Sequence, residues 1–319
     1  MKPKFSIIIP FKELNSYVIE CIEHILKQDF KNFEIILLPD YKINTKFTKS
    51  KIYPTGPVKP SLKRNIGVEK SNGEYLAFID SDAYPRKDWL KNAFKYLKQA
   101  EIGILGGPNL IPKNDNIWQK ASDDILSSPL GGGMFSFRYK SINHIKEANE
   151  LPSCNMFIRK SLFRKIGGFD ESILTGEDSK LCFQVKKLDK KILYSPDVVV
   201  YHHRRSLFKQ HLKQIWNYGR DKASVFHHLP LKGRLFYFLP SFFTIGLFSG
   251  FFLFFNPWLD LQFFKLIYLI LLEIYLIIVI LNSLIKNPKT SVLTIPGTIL
   301  THITYGVGFL YGLFQRLKF

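Results

Sequence analysis

Three things are scarce in this sequence: cysteine, acid and, in its last quarter, charge of either sign. The three cysteines, Cys21, Cys154 and Cys182, lie far apart in the 319 residues and form no metal-binding or redox spacing, which reads as buried thiols in a reducing compartment. Acids number 26 against 45 Lys+Arg. Residues 236–319 hold only five basic residues and two acids, leaving 40 basic and 24 acidic residues in 1–235. Such a cationic surplus attracts polyanions: nucleic acid, phosphorylated substrates or an anionic membrane face. The N-terminal stretch does not read as a leader. The apolar run after Met1-Lys2-Pro3-Lys4 ends at Pro10, too short for a signal peptide's core, and no cleavage site follows, so the N-terminal part is expected to stay in the cytoplasm.

The uncharged tail does not suit a soluble domain. Phe236–Phe255, Leu266–Ile285 (broken only by Glu273) and Thr290–Gln315 each reach about 20 residues, the length that spans a bilayer's hydrocarbon core. Three successive helices apolar on all sides cannot be buried in so small a tail, so membrane helices are expected at 236–255, 266–285 and 291–314. Lys232 and Arg234 precede the first, and Lys286 and Lys289 stand between the second and third. The positive-inside rule places both clusters on the cytoplasmic side and the Asn256–Gln262 link outside, although Arg316 and Lys318 then fall outside as well. Glu273 within a span is costly and hence a functional candidate; either His302 pairs with it, or it packs protonated between helices. Gly308 and Gly312 offer a small-xxx-small packing face.

Ahead of the tail, strand and helix alternate. Phe5–Ile9, Phe33–Leu38, Ile52-Tyr53, Tyr75–Ile79 and Ile102–Leu105 read as strands, and Leu14–Gln28, Pro60–Lys70 and Lys87–Gln99 as helices. That order predicts an α/β domain with a mostly parallel, Rossmann-like sheet covered by helices on both faces. The pattern weakens over Ile111–Pro152, where Met134–Tyr139 reads as a strand. It returns with Asn155–Ile158, the Gly167–Glu171 turn, a helix over Ser179–Leu188 and a last strand, Val198–Tyr201. Leu207–Tyr218 is a cationic amphipathic helix, either lying in a membrane interface or packed on the domain. Three parts are expected: 1–204, the α/β domain; 205–235, an amphipathic interfacial segment; and 236–319, the membrane region.

The chemistry gathers around Tyr75-Leu76-Ala77-Phe78-Ile79-Asp80-Ser81-Asp82, an apolar strand running into two acids one residue apart. Ligands collect at the carboxyl ends of such strands. Two adjacent carboxylates repel unless a cation lies between them, and a hard divalent ion, Mg²⁺ or Mn²⁺, carrying substrate phosphates is the natural partner. Three further pieces fit: Pro10-Phe11 and Asp40 at strand ends, suited to framing a base and ribose; Lys63-Arg64-Asn65 on a helix, suited to a diphosphate; and Glu177-Asp178 at a helix start, followed by His202 at the end of the last strand.

Taken together, Phe5–Pro10, Lys63-Arg64-Asn65-Ile66-Gly67, Gly73–Asp82, Gly167-Gly168-Phe169-Asp170-Glu171 and Gly176–Cys182 resemble the family 2 glycosyltransferases, over roughly residues 4–220 and in the family's order. The resemblance implies a GT-A fold and inverting transfer from a nucleotide-activated sugar. It assigns Asp178 as catalytic base and Glu177 as its orienter or an acceptor contact. Donor binding falls to Pro10, Phe11, Glu13, Asp40, Lys63, Arg64, Asp80 and Ser81, and a Mn²⁺ or Mg²⁺ ion to Asp80, Asp82 and His202.

The sequence departs from the family at two places. Pro39-Asp40 replaces the frequent Asp-Asp, and the Gln-x-x-Arg-Trp motif of processive members is absent, which argues for adding one sugar. The Asn217–Arg220 stretch looks like that of members that elongate surface glycans. The expected partners are a nucleotide-diphosphate sugar, a lipid-linked or glycan acceptor and a cell membrane, with the catalytic domain cytoplasmic and no nucleic acid. Two rivals remain: a polyprenyl-phosphate glycosyltransferase, and a non-enzymatic basic membrane protein.

Overall fold

The computed structural model describes residues 2–173, 176–226, 234–255 and 262–317. Thr175, Lys232, most of the Asn256–Gln262 link and Lys318 lie outside the described residues, as do the side chains of Arg234 and Arg316. Contacts divide the chain into two units, Met1–Pro112 with Phe137–His203, and Lys113–Ser136 with Arg204–Phe319. The break falls inside the weakly patterned stretch, and residues 113–136 join the C-terminal helices.

The first unit opens with β1 (Phe5–Pro10), α1 (Ser16–Leu26), β2 (Phe33–Leu38), β3 (Ser50–Ile52), α2 (Pro60–Lys70), β4 (Tyr75–Ile79), β5 (Ala83–Pro85), α3 (Trp89–Leu97), β6 (Ile102–Gly106) and β7 (Asn109–Leu110). The second unit then contributes α4 (Ile117–Leu126) and α5 (Pro129–Gly132). The first resumes with β8 (Lys146–Glu147), β9 (Asn155–Arg159), α6 (Lys160–Lys165), α7 (Glu177–Lys186), β10 (Lys191–Tyr194) and β11 (Val200–His202). Eight strands form one sheet, in the order β3-β2-β1-β4-β9-β6-β10-β8, and β5-β11-β7 form a small second one. The β1–β2, β1–β4, β2–β3 and β6–β10 pairs are parallel; β9 runs antiparallel between β4 and β6.

The central strands are apolar on both faces because both faces are covered. Phe5, Ile7 and Ile9 of β1 feed one core with α1 and α3, while Ile8, between them, feeds another with Phe163, Phe169 and Leu181. At Gly67 of α2 a Cβ would come within 2.7 Å of Ile8 and Leu38 side-chain atoms. This close approach lays α2 over β1 and β2 and brings Lys63 and Arg64 to the strands' carboxyl ends.

Two expectations are corrected in detail. Met134–Tyr139 is no strand: Gly133–Tyr139 is a 3₁₀ helix continuing from α5, whose start Pro129 and the Ser128 side-chain cap define. The last strand starts two residues later than its apolar run suggests, at Val200, because its pairing is with β5 and β7. β10, which is entered through Lys190 and Lys191, has no clear signal in the sequence.

The second unit adds α8 (Lys209–Val225), α9 (Leu239–Phe255), α10 (Gln262–Lys286) and α11 (Ser291–Leu317). Leu235–Phe255, Gln262–Lys286 and Pro288–Gln315 are long and apolar enough to cross a membrane. The amphipathic segment becomes α8, and its apolar face is packed on α11. There the small-residue face does what its spacing suggests: a Cβ at Gly308 would meet the Trp216 carbonyl oxygen at 2.7 Å, and one at Gly312 that of Arg220 at 2.3 Å. The Glu273–His302 pair does not form. His302 Nδ1 meets Tyr275 Oη at 2.9 Å and Nε2 the Leu130 carbonyl at 2.8 Å, while Glu273 lies on the exposed face of α10 rather than packed between helices. Two residues apart on a helix, Tyr275 and Glu273 point to different faces.

Candidate active site

Asp80 follows the last residue of β4. A tight turn returns the chain at once, the Ala83 amide donating to the Asp80 carbonyl at 3.1 Å, with half-buried Ser81 in the turn. β5 then pairs antiparallel with β11, setting Ala83 opposite His202, and the His203 amide donates to the Asp82 carbonyl at 3.0 Å. In this way residues 120 positions apart converge. His202 Nε2 lies 3.1 Å from Asp82 Oδ1, and one ligand atom each from Asp80, Asp82 and His202 lies within 4.8 Å of the others.

Burial disfavours the charged imidazole, but the Asp82 carboxylate overrides it and pushes the His202 pKa up to about 10. In chemistry the set fits a divalent cation: two carboxylates with spare lone pairs and an imidazole that must shed its proton to coordinate. Cys21, buried beneath, has its thiol pKa pushed well up by burial first and by Asp82 and Asp80 next, so it is an apolar floor.

Arg64 ties this cluster to the second acidic pair. Its guanidinium is buried and donates from one nitrogen to Asp80 Oδ1 at 2.7 Å and from another to Glu177 Oε1 at 2.9 Å. The two acids raise its pKa against the cost of burial. Its third nitrogen, Nε, is buried without a partner among the described residues, a spare donor beside the cluster. Lys63, one position earlier, turns the other way: its ammonium is held by the Asp40 carboxylate and by the carbonyls of Phe11 and Leu38. Pro10, Phe11, Asp40 and Lys63 thus form one knot at the ends of β1 and β2, while Glu13 stands exposed.

Asn65 completes the helix's contribution. It donates to the Phe169 carbonyl at 2.8 Å and accepts from the Phe169 amide at 3.0 Å. Gly167 and Gly168 adopt φ of +80° and +74°, which side chains resist, so the turn can reach α2. Asp170, drawn down to a pKa of about 2 by Lys180 first and Ser172 next, clasps that turn to α7.

Glu177 and Asp178 form the acidic first turn of α7. Asp178 accepts from the Ser153 amide at 3.4 Å and the Ser179 amide at 2.7 Å. Its charge also acts on Arg64 and on the buried Arg138, which pairs with Glu150 at 3.1 Å. Sequence reasoning misses Arg138, Glu150 and Ser153, since they lie in or beside the stretch without periodicity and carry no motif.

Burial, then the Asp178 charge, push the Glu177 pKa from 4.5 to about 7, Arg64 notwithstanding. The folded chain therefore holds a proton that an unfolded one has released, and this contribution to stability is lost as pH rises through about 7. Glu177→Gln is expected to melt like the wild type near pH 4.5 and at a higher temperature than it above pH 7. Thermal melts at both pH values test this; an equal effect at the two would remove the shift from the account.

A mostly parallel α/β sheet with an Asp-x-Asp and a histidine at its strand ends, joined through one arginine to a second acidic pair, is laid out on a GT-A fold. Residues 6–167 match the model for glycosyl transferase family 2, and the chain belongs to that family. A Methanococcus voltae relative named dolichyl N-acetyl-alpha-D-glucosaminyl phosphate 3-beta-D-2,3-diacetamido-2,3-dideoxy-beta-D-glucuronosyltransferase is 27% identical over 236 residues, covering 68% of this chain and 72% of that one. Pre-mycofactocin glycosyltransferase of Mycobacterium tuberculosis is 26% identical over 166 residues, or 52% of this chain and only 34% of its own length. Mannosyltransferase PcManGT from Pyrobaculum calidifontis, solved with GDP-Man and Mn²⁺, superposes with a TM-score of 0.61 at 15% identity, covering 98% of this chain and 88% of that one. The chain is an enzyme, and the non-enzymatic reading is withdrawn.

Proposed function

We propose that the enzyme transfers one sugar, with inversion, from a nucleotide-diphosphate sugar to a hydroxyl of a lipid-linked glycan at the cytoplasmic face of a cell membrane. The observation that carries this is the Arg64 bridge. One guanidinium spans Asp80 and Glu177, so the two acidic motifs share a single site. Asp80, Asp82 and His202 would hold a divalent cation, Mn²⁺ or Mg²⁺, which supplies Lewis-acid stabilisation to the charge of the departing diphosphate. Arg64 offers its unused Nε to the same phosphates. The knot of Pro10, Phe11, Asp40 and Lys63 frames the base and ribose.

An acceptor hydroxyl is a poor nucleophile until its proton is removed. Asp178 takes that proton from the face opposite the leaving group, an assistance worth about 10²–10⁴-fold. The Ser153 amide orients Asp178 for it, with the Arg138 charge close by. The acceptor class is supported by the Methanococcus voltae relative, whose name specifies a dolichyl-phosphate-linked sugar. The membrane is supported by three long apolar helices and by the basic surplus of residues 1–235.

The test is a panel of sugar nucleotides offered to the full-length protein with Mn²⁺ or Mg²⁺ and a lipid-linked acceptor. Transfer or slow hydrolysis of one donor, abolished by a chelator, is the expected result. Activity undiminished in chelator would sink the metal's part; failure of every donor would sink the reading.

A further inference from the structure

The three long apolar helices are not equivalent. In α10 and α9 only 6% and 17% of the most apolar stretch is buried, against 39% in α11. α9 and α10 touch α11 at Gly306 and His302, and the rest of its cover comes from α4 and α8 and includes polar groups. Thr290 Oγ1, just before it, donates to Asp124 of α4 at 2.7 Å, and Thr301 Oγ1 lies 2.9 Å from the buried His211 of α8. Between these, a Cβ at Gly297 would meet Ile125 of α4 at 2.8 Å and Leu207, just ahead of α8, at 3.0 Å. Beyond them, Gly308 and Gly312 carry the α8 backbone up to Arg220.

α4 and α8 therefore accompany α11 from residue 290 to residue 312, about 33 Å at 1.5 Å per residue, which matches the full hydrocarbon thickness. Were α11 to cross the membrane, they would have to cross beside it. α8 carries Lys209 and Lys213 exposed on its outer side, and α4 carries the Asp123 that is paired with Arg204. Exposed lysines of that kind are not tolerated against lipid.

Resting on the membrane reading proposed above, we infer that only α9 and α10 insert, as a helical hairpin, and that α11 lies outside the hydrocarbon core with α4 and α8, a polar-backed helix seated on the cytoplasmic leaflet. The hairpin also removes the charge conflict in the sequence. Lys286, Lys289, Arg316 and Lys318 all fall on one side, and the only short link on the other, residues 256–262, has neither lysine nor arginine. α9 and α10 present to lipid the side chains that suit it, with Phe248 and Phe252 of α9 and Leu271 of α10 each more than half exposed.

Cysteine mapping on the full-length protein in sealed vesicles of both orientations tests this. The three native cysteines are buried, so a membrane-impermeant maleimide reads the introduced ones: Asp260→Cys, Lys289→Cys and Lys318→Cys, each in its own chain. Positions 289 and 318 should label from the same side and 260 from the opposite side only. Labelling of 318 from the side of 260 would mean three crossings and overturn the hairpin alone. Release of the wild-type chain by alkaline carbonate would overturn the hairpin and the membrane reading together.

Discussion

Replacing Asp178 by asparagine lowers kcat by at least about a hundredfold while leaving donor affinity near that of the wild type. The substitution is close to isosteric, and an amide oxygen can still accept from the Ser153 and Ser179 amides, so the first turn of α7 should hold. What is lost is the capacity to take a proton. The Arg64 bridge runs through Asp80 and Glu177, both unchanged in the variant, so the donor side should keep its geometry. Single-turnover transfer with saturating donor measures the effect, and donor titration by calorimetry supplies the control. The outcome also decides between acceptors. A polyprenyl phosphate is already ionised and needs no base; turnover nearly intact in Asp178→Asn would transfer the assignment to that chemistry.

The second large effect is expected on the donor side. Asp80→Asn keeps an oxygen for Arg64 to bond but removes the negative charge from a three-ligand cluster. Loss of an outer-shell partner already costs about 10–100-fold in metal affinity, so loss of a ligand should weaken Mn²⁺-dependent binding of the nucleotide by more than about a hundredfold. Calorimetry with Mn²⁺ and the nucleoside diphosphate is the measurement. In chelator the variant and the wild type should bind the nucleotide equally weakly. If the variant binds in Mn²⁺ as tightly as the wild type does, Asp80 holds no metal and the cluster is a hydrogen-bonded strand end.

Much of the first unit is legible in the order of its residues. β2, α2 and β4 stand where their apolar runs and end signals place them, at Phe33–Leu38, Pro60–Lys70 and Tyr75–Ile79, because strands buried on both faces must be apolar throughout and Pro and Asn-Gly punctuate sharply. Legibility fails where partners rather than propensity choose the conformation. β5 and β7 have three and two residues and exist through their pairing with β11. α4 has a proper Asn116 capping box, yet its buried face includes Ser122 and Asp123, so it has no clear apolar stripe. Gly133–Tyr139 alternates like a strand and is helical because α5 runs straight into it.

By itself, the sequence determined that an acidic strand end exists, that a second acidic pair opens a helix about a hundred residues later, and that the last quarter suits lipid better than water. These are properties of composition and local order, and local order needs no partner. Tertiary structure alone decided that Arg64, and not Lys63, joins the two acidic pairs. Adjacent residues on a helix point about 100° apart, and which one looks into the cleft depended on how closely Gly67 let α2 settle on β1 and β2. It also decided that α11 is wrapped by α4 and α8, since a helix's hydropathy says what it tolerates, and only packing says what covers it.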